Sequence, residues 1–322
     1  MKAIACLKYG PPEALQLIEL PKPAPKDNEV LIRVQATTVT PSECLMRSGA
    51  SLAGRAILGF TKPRKKYRVL GLELSGTIES VGKDVTRFKS GDEVFGFTGF
   101  APGAWAEYKG MPADGPLFVK PANLSHEEAA ALVDGASTAL FFLQDKAQIQ
   151  RGQRVLINGA SGSIGTFAVQ FAKHFGAEVT GVCSTANLAL VKSLGADRVI
   201  DYTKEDFTKC NAAYDVIFDT VAKSSFSRCK DALAPNGRYL VTVMGLLPVL
   251  QTWWTGLVGG KRAIFAMSLE KKKALSIIRE LAERGELKSV IDRAYSLEEI
   301  VEAHRYVERG HKKGNVVITL AS

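Results

Sequence analysis

The stretch Gly159-Ala-Ser-Gly162-Ser-Ile-Gly165 decides the reading of this 322-residue chain. It follows the apolar run Val155-Leu-Ile-Asn158 and opens the helical pattern Thr166-Phe-Ala-Val-Gln-Phe-Ala-Lys173. Glycines spaced by three let the chain turn sharply out of a strand. They also let the backbone press against a pyrophosphate at a helix N-terminus, where unpaired N–H groups and the helix dipole favour an anion. Glycine alone also suits an ordinary turn. The flanking strand and helix favour a dinucleotide-binding loop, with Gly159, Ala160, Ser161, Gly162, Ser163, Ile164 and Gly165 as its contacts.

Outward from that loop the chain alternates. Strand 154–158 and helix 163–175 lead to strand Glu178–Cys183, helix 186–194 and strand Arg198–Ile200. Strands at Val216–Phe218, 238–243 and 263–267 follow. Such alternation predicts βαβ units and a parallel sheet. Before residue ~120, apolar runs at Val30–Val34, Leu74–Val81 and Glu93–Phe97 are punctuated by Pro and Gly, predicting a small β-rich unit with few helices. Ser125-His-Glu-Glu128 is a capping box opening an Ala-rich helix, and Asp134-Gly135 separates it from a second helix. Lys271–Arg284 is amphipathic, Ser296-Leu-Glu-Glu299 caps a helix running to Gly310, and Asn315–Leu320 closes the chain as a strand.

The composition is 46% hydrophobic and 23% charged, with mean hydropathy +0.02, as in soluble globular proteins. The length exceeds what one core comfortably serves, so two domains are expected. A net charge of +9 suits a phosphate-rich cofactor or an acidic surface, and with no RNA or DNA module visible no nucleic-acid partner is expected. Five scattered cysteines without a CxxC pair read as reduced thiols in a cytoplasmic protein. The first residues read directly as strand Lys2–Leu7, with no leader.

No charge falls between Arg238 and Lys261, yet Gly245, Pro248, Gly256, Gly259 and Gly260 interrupt that stretch. Two strands around a buried or pocket-lining apolar loop fit it better than a membrane span. Trp253-Trp254 would by default fill core space, with an apolar substrate or a membrane surface as the alternatives. The basic run Lys62-Pro-Arg-Lys-Lys66 with Arg68 reads as a solvated loop. Attraction of an anionic nucleotide, or weak peripheral contact with anionic lipid, are its other readings.

Taken together, Val69-Leu-Gly71, Gly76-Thr-Ile-Glu-Ser-Val-Gly82, Gly91-Asp92-Glu-Val94, Gly103-Ala-Trp-Ala-Glu107, the glycine trio, Leu194-Gly-Ala-Asp197, Asp219-Thr-Val221 and Gly237-Arg238 make the whole chain resemble the medium-chain dehydrogenase/reductase superfamily. The resemblance implies an α/β fold. Its parts would be a GroES-like β-rich catalytic domain (residues 1–122 and 268–322) and a Rossmann domain with a doubly wound parallel sheet (residues 123–267). It also implies an active site in the cleft between domains and commonly a homodimer paired through the Rossmann sheet.

Zinc alcohol dehydrogenases of the superfamily carry Gly-His-Glu where this chain has Gly71-Leu72-Glu73, and leucine cannot ligate a metal. Cys44 and Glu73 alone do not make the three protein ligands of a catalytic zinc, and no four-cysteine lobe follows Gly91-Asp92. The zinc-free quinone oxidoreductase branch fits instead, with Thr40-Pro-Ser-Glu43 where that branch usually has Asn-Pro-x-Asp. Thr40 and Glu43 are therefore candidate catalytic residues. By position Tyr67 and Cys44 join Glu43 as candidate acids, each with a structural role as the competing reading. Of the histidines, His126 is expected on a solvated first turn, His174 and His311 at the surface, and His304 in the core.

The second Rossmann strand ends Val182-Cys183-Ser184-Thr185 with no carboxylate to select NAD(H), which favours NADP(H). Asn187 stands where an arginine or lysine would normally meet the 2′-phosphate. Ser184, Asn187 and Tyr202, with Lys192 as a weaker helper, form the expected adenosine end, and Tyr202 resembles the tyrosine packed there in quinone oxidoreductases. Thr138 matches a threonine used near the nicotinamide. Val221, Val243, Met244, Phe265 and Met267 are expected at carboxyl ends of sheet strands, where ligands collect. The expected activity is zinc-independent, NADPH-dependent hydride transfer to a quinone or to the C=C of an α,β-unsaturated carbonyl compound. A non-catalytic nucleotide-binding sensor or scaffold is the alternative.

Overall fold

The computed structural model describes residues 1–209, 213–242 and 246–320, with Leu246 and Leu247 as backbone only. They form two compact units, one of Met1–Asp134 with Glu270–Ser322 and one of Gly135–Leu269.

The second unit is built on six parallel strands. Their spatial order is Arg198–Asp201, Glu178–Cys183, Arg154–Asn158, Tyr214–Asp219, Leu233–Val241 and Arg262–Phe265. Chain order runs outward both ways from Arg154–Asn158, which is the doubly wound arrangement with its switch point at that strand. Val155, Leu156 and Ile157 are fully buried, as a central parallel strand covered on both faces requires. Asn158, at its carboxyl end, donates from Nδ2 to Asp219 Oδ1 at 3.0 Å, tying the two strands that flank the switch point.

The first unit holds a seven-stranded mixed sheet. Its order is Ile291–Ser296, Asn315–Thr319, Glu29–Thr38, Glu73–Val81, Glu93–Phe97 and Leu117–Val119, with Tyr108–Pro112 also paired to Glu29–Thr38. The closing strand of the chain thus lies antiparallel to an N-terminal one, with Val317 opposite Thr38. Small side chains make the next layer possible: Ala130 and Ala131 of helix His126–Ala131 bury against Ala36 and Val317. Lys2–Cys6 and Leu15–Glu19 make a separate two-stranded ribbon.

The few helices of the β-rich unit follow Thr40, at Pro41–Ser48 and Leu52–Leu58. Two local expectations are corrected. The apolar "loop" is a helix, Leu246–Val258. Pro248 falls in its first turn, where a missing N–H costs nothing. Trp253 and Trp254 are 65% and 62% exposed rather than packed into a core. No helix among the described residues is long and apolar enough to cross a membrane. Finally, the outer strand stops at Phe265, which leaves Met267 beyond it and half exposed.

Candidate functional site

In the Gly135–Leu269 unit, Gly159 leaves the central strand at φ +81°, where a Cβ would lie 2.6 Å from Val221 Cγ1 and 2.7 Å from Thr220 Oγ1. A Cβ on Gly165 would lie 2.0 Å from the Gly159 carbonyl oxygen. The turn and the close helix–strand packing therefore both demand glycine. Gly162 is the N-cap of helix Ser163–His174 and brings no capping side chain. The first-turn N–H groups of that helix lack intrahelical acceptors and suit a pyrophosphate. Val221 borders the loop, its N–H donating to Asp219 Oδ1 at 3.2 Å. Phe265 is half-buried at its strand's carboxyl end, and Thr138 is buried in helix Asp134–Leu140. Val243 and Met244 lie outside the described residues.

At the expected adenosine end, Asn187 is buried, and its Nδ2 lies 3.1 Å from Ser161 Oγ and 3.3 Å from Ser184 Oγ. Its Oδ1 is buried with no hydrogen-bond partner among the described residues. Tyr202 is half exposed. Lys192 donates to the Asp197 carbonyl at 2.6 Å and is committed there. A carboxylate does stand nearby: Asp201 pairs in register with Cys183. Its oxygens accept from Thr185 Oγ1 at 2.5 Å and from Thr203 N and Oγ1 at 3.0 and 2.7 Å. This neighbour comes from the third strand, so reading the end of the second alone could not find it.

In the other unit, Thr40 and Glu43 form a capping box at the start of helix Pro41–Ser48. Glu43 Oε2 accepts from Thr40 N at 2.9 Å and from Thr40 Oγ1 at 3.2 Å, while Oε1 accepts from Leu72 N at 2.9 Å. Burial pushes the Glu43 carboxyl up to about 7 against these hydrogen bonds. Glu73 accepts from Thr38 Oγ1 and Asp134 N, and burial followed by the nearby Asp134 charge pushes it up to about 8. Asp134 in turn pairs with buried Lys271, Nζ to Oδ1 at 2.8 Å. Lys312 is half-buried, and desolvation pushes its ammonium down to about 8. Asp134 and Lys271 lie 137 residues apart, and no local sequence signal announces the pair.

Tyr67 is buried with Lys66 Nζ 4.6 Å above its ring, while Lys62, Arg64, Lys65 and Lys66 are solvated. Cys44 Sγ is 3.2 Å from His304 Nδ1, and Trp105 meets the imidazole edge-on at 5.0 Å. Burial pushes the thiol up to about 12 and the imidazole down to about 3, so both are neutral. His126 is not solvated as expected. Its Nδ1 lies 2.8 Å from Ser75 Oγ and its Nε2 3.3 Å from Glu93 Oε1. The Ser–His–Glu arrangement has no nucleophile to offer, because Ser75 is fully buried and donates to the Val94 carbonyl at 2.9 Å.

Comparison with known proteins adds to this geometry. Residues 26–122 match the alcohol dehydrogenase GroES-like domain, and residues 194–318 the zinc-binding dehydrogenase family. The mouse mitochondrial NAD(P)H oxidoreductase RTN4IP1 is 33% identical, over 91% of this chain and 82% of that protein. The 2-methylene-furan-3-one reductase of Solanum lycopersicum is 32% identical, over 99% and 79%. The solved quinone oxidoreductase of Coxiella burnetii is 30% identical with TM-score 0.90, over 100% and 99%. The chain belongs to the medium-chain dehydrogenase/reductase superfamily, in its quinone oxidoreductase branch, and it is an oxidoreductase.

Membership raises two groups to be tested against the residues present. Zinc does not fit: among the described residues no three His, Cys, Asp or Glu side chains stand where they could hold a metal. Cys44 faces His304, and Glu73 is occupied by Thr38 and Asp134. A dinucleotide does fit. The glycine loop offers the close approach, and the Asn187 amide carries a buried polar atom short of a partner among the described residues.

Proposed function

We propose that this protein is a zinc-independent, NADPH-dependent reductase whose acceptor is a quinone or the C=C of an α,β-unsaturated carbonyl compound. The observation that carries this reading is the glycine loop opening onto an uncapped helix N-terminus, combined with Leu72 where a zinc ligand would stand. When bound, the nicotinamide supplies the hydride. The chain's part is then to bind, orient and stabilise. N–H groups of Ser161–Gly165 take the pyrophosphate, and Ser184, Asn187 and Tyr202 take the adenosine end. Thr138, Val221 and Phe265 border the remainder.

We assign Thr40 the hydroxyl that meets the nicotinamide or the acceptor's oxygen as charge develops there. Glu43 is its positioning residue, because it holds Thr40 N and Oγ1 together. Tyr67 receives no step, and the proton that completes reduction comes from solvent. A conjugated acceptor needs less help than an alcohol oxidation, for which the described residues offer no three-ligand metal site.

The reading extends to location and partners: a cytoplasmic homodimer with no nucleic-acid partner. Ala263 and Phe265 of the outer strand donate their N–H groups to Thr255 Oγ1 at 3.0 Å and Thr252 Oγ1 at 2.8 Å. That edge is thereby covered at both positions, which argues against pairing by strand addition. The exposed face of helix Leu246–Val258, with Val249, Leu250, Trp253, Trp254, Leu257 and Val258, is the proposed seat of the second copy. Weak lipid contact by that face is the competing outcome.

Steady-state NADPH oxidation across a panel of quinones, enones and enals tests the activity. Turnover that needs no added metal supports it. Tight NADPH binding without turnover on any acceptor would point to a nucleotide sensor.

A further inference from the structure

We propose that the side-chain amide of Asn187 reads the 2′ position of the adenosine ribose and selects the phosphorylated cofactor. This rests on the assignment of the glycine loop as the nucleotide site with NADPH as its ligand. Asn187 bridges that loop and the end of the second strand through Ser161 Oγ and Ser184 Oγ, and it is only 7% exposed. Its remaining polar atom is buried and unpartnered among the described residues, an arrangement that is costly unless a ligand completes it.

The two serine hydroxyls can each donate or accept. Turning the amide by 180° therefore keeps both contacts, with the hydroxyls now donating to Oδ1. The NH2 group then takes the place of the unpartnered oxygen and becomes a free donor. A phosphate only accepts, so it fixes this orientation, whereas a ribose hydroxyl is served by either. Asn187 in this way supplies the donor that an arginine provides in other NADP-binding Rossmann folds.

The nearby acidic group does not reverse the preference. Asp201 has its oxygens engaged by Thr185 and Thr203, and Lys204 Nζ lies 3.7 Å away. A carboxylate at 187 would act in the opposite sense, accepting from the 2′-hydroxyl and repelling the phosphate.

The test is calorimetric titration of the intact protein, Asn187→Asp and Asn187→Leu with NADPH, NADH, 2′,5′-ADP and 5′-ADP. Asn187→Asp should weaken NADPH and 2′,5′-ADP by about 10- to 100-fold and leave NADH and 5′-ADP within about threefold. Asn187→Leu, uncharged and similar in size, should weaken the phosphorylated pair by about tenfold. If the unmodified protein prefers NADPH and both variants keep that preference, the inference is overturned while the NADPH reading stands. Equal loss of all four ligands in both variants overturns it too, because Asn187 then only braces the loop. An unmodified protein that prefers NADH removes the NADPH reading and this inference with it.

Discussion

Thr40 and Glu43 cap one helix reciprocally: the Glu43 carboxylate accepts the Thr40 N–H at 2.9 Å, and the Thr40 hydroxyl accepts the Glu43 N–H at 3.4 Å. The other Glu43 oxygen holds Leu72 N at 2.9 Å, so one buried carboxyl joins a helix start to the segment before strand Glu73–Val81. Glu43→Gln turns one acceptor into a donor that must face an N–H group. The expected loss is about 1–3 kcal/mol of stability, read as a lower urea midpoint. If Glu43 positions Thr40, kcat should also fall while NADPH affinity holds. An unchanged kcat in folded variant would leave Glu43 a structural cap alone.

The buried carboxyls give the first unit a specific pH dependence. Glu43 and Glu73 hold their protons to about 7 and about 8, above the range they have when unfolded. Their contribution is complete below the unfolded value and is lost as pH rises through the folded one. His304, neutral down to about 3, acts in the opposite sense below its ordinary value of 6.5, and Lys312 does so above about 8. Between pH 6.5 and 8 the carboxyls govern. Stability should fall across that window, by up to about 1.4 kcal/mol per pH unit from Glu73 and by a Glu43 share that fades above pH about 7. Urea unfolding followed through the buried Trp105 checks this, and Glu43→Gln should flatten the slope. A rise in stability over the same window would contradict it.

Asp134 and Lys271 form an ion pair at 2.8 Å with the lysine side chain only 1% exposed. Asp134→Asn leaves a buried ammonium without its counter-charge and should cost about 3–5 kcal/mol. Asp134→Asn combined with Lys271→Met should recover much of that loss, because both charges are then gone. Thermal melts of the four proteins form the cycle. Additive losses in the double variant would mean that the pair does not interact.

The exposed tryptophans supply a surface test. Sedimentation of the unmodified protein at micromolar concentration should give a dimer, and Trp253→Ser with Trp254→Ser should give a monomer of unchanged helicity. A monomeric unmodified protein that sediments with anionic vesicles, and does so less as salt rises, would assign the face to a lipid surface instead.

The sequence carries the parts of this fold whose causes are local. Gly159–Gly165, the Ser125 and Ser296 boxes and the buried parallel strands are dictated by neighbours within a few residues. Helix Leu246–Val258 escaped because its apolar face is exposed, so polarity does not alternate with a helical period around a buried side. Its threonines announce nothing until Thr252 and Thr255 are seen to bind the edge strand. The Thr40–Glu43 box was present in the residues but was overshadowed by its likeness to Asn-Pro-x-Asp. Asp201 beside Cys183, Glu73 on Asp134 and Cys44 on His304 are products of tertiary pairing and have no footprint in any one segment.

The central claim is hydride transfer from NADPH to a conjugated acceptor without a metal. The most direct measurement follows NADPH and NADH oxidation by the same chelator-treated sample against quinones, enones and the ketones formed from secondary alcohols, with its zinc content determined. Turnover of quinone or enone with NADPH, undiminished by chelation and with zinc well below one per chain, is the predicted result. Activity restored only by stoichiometric zinc, or no measurable affinity for either nucleotide, would contradict the account.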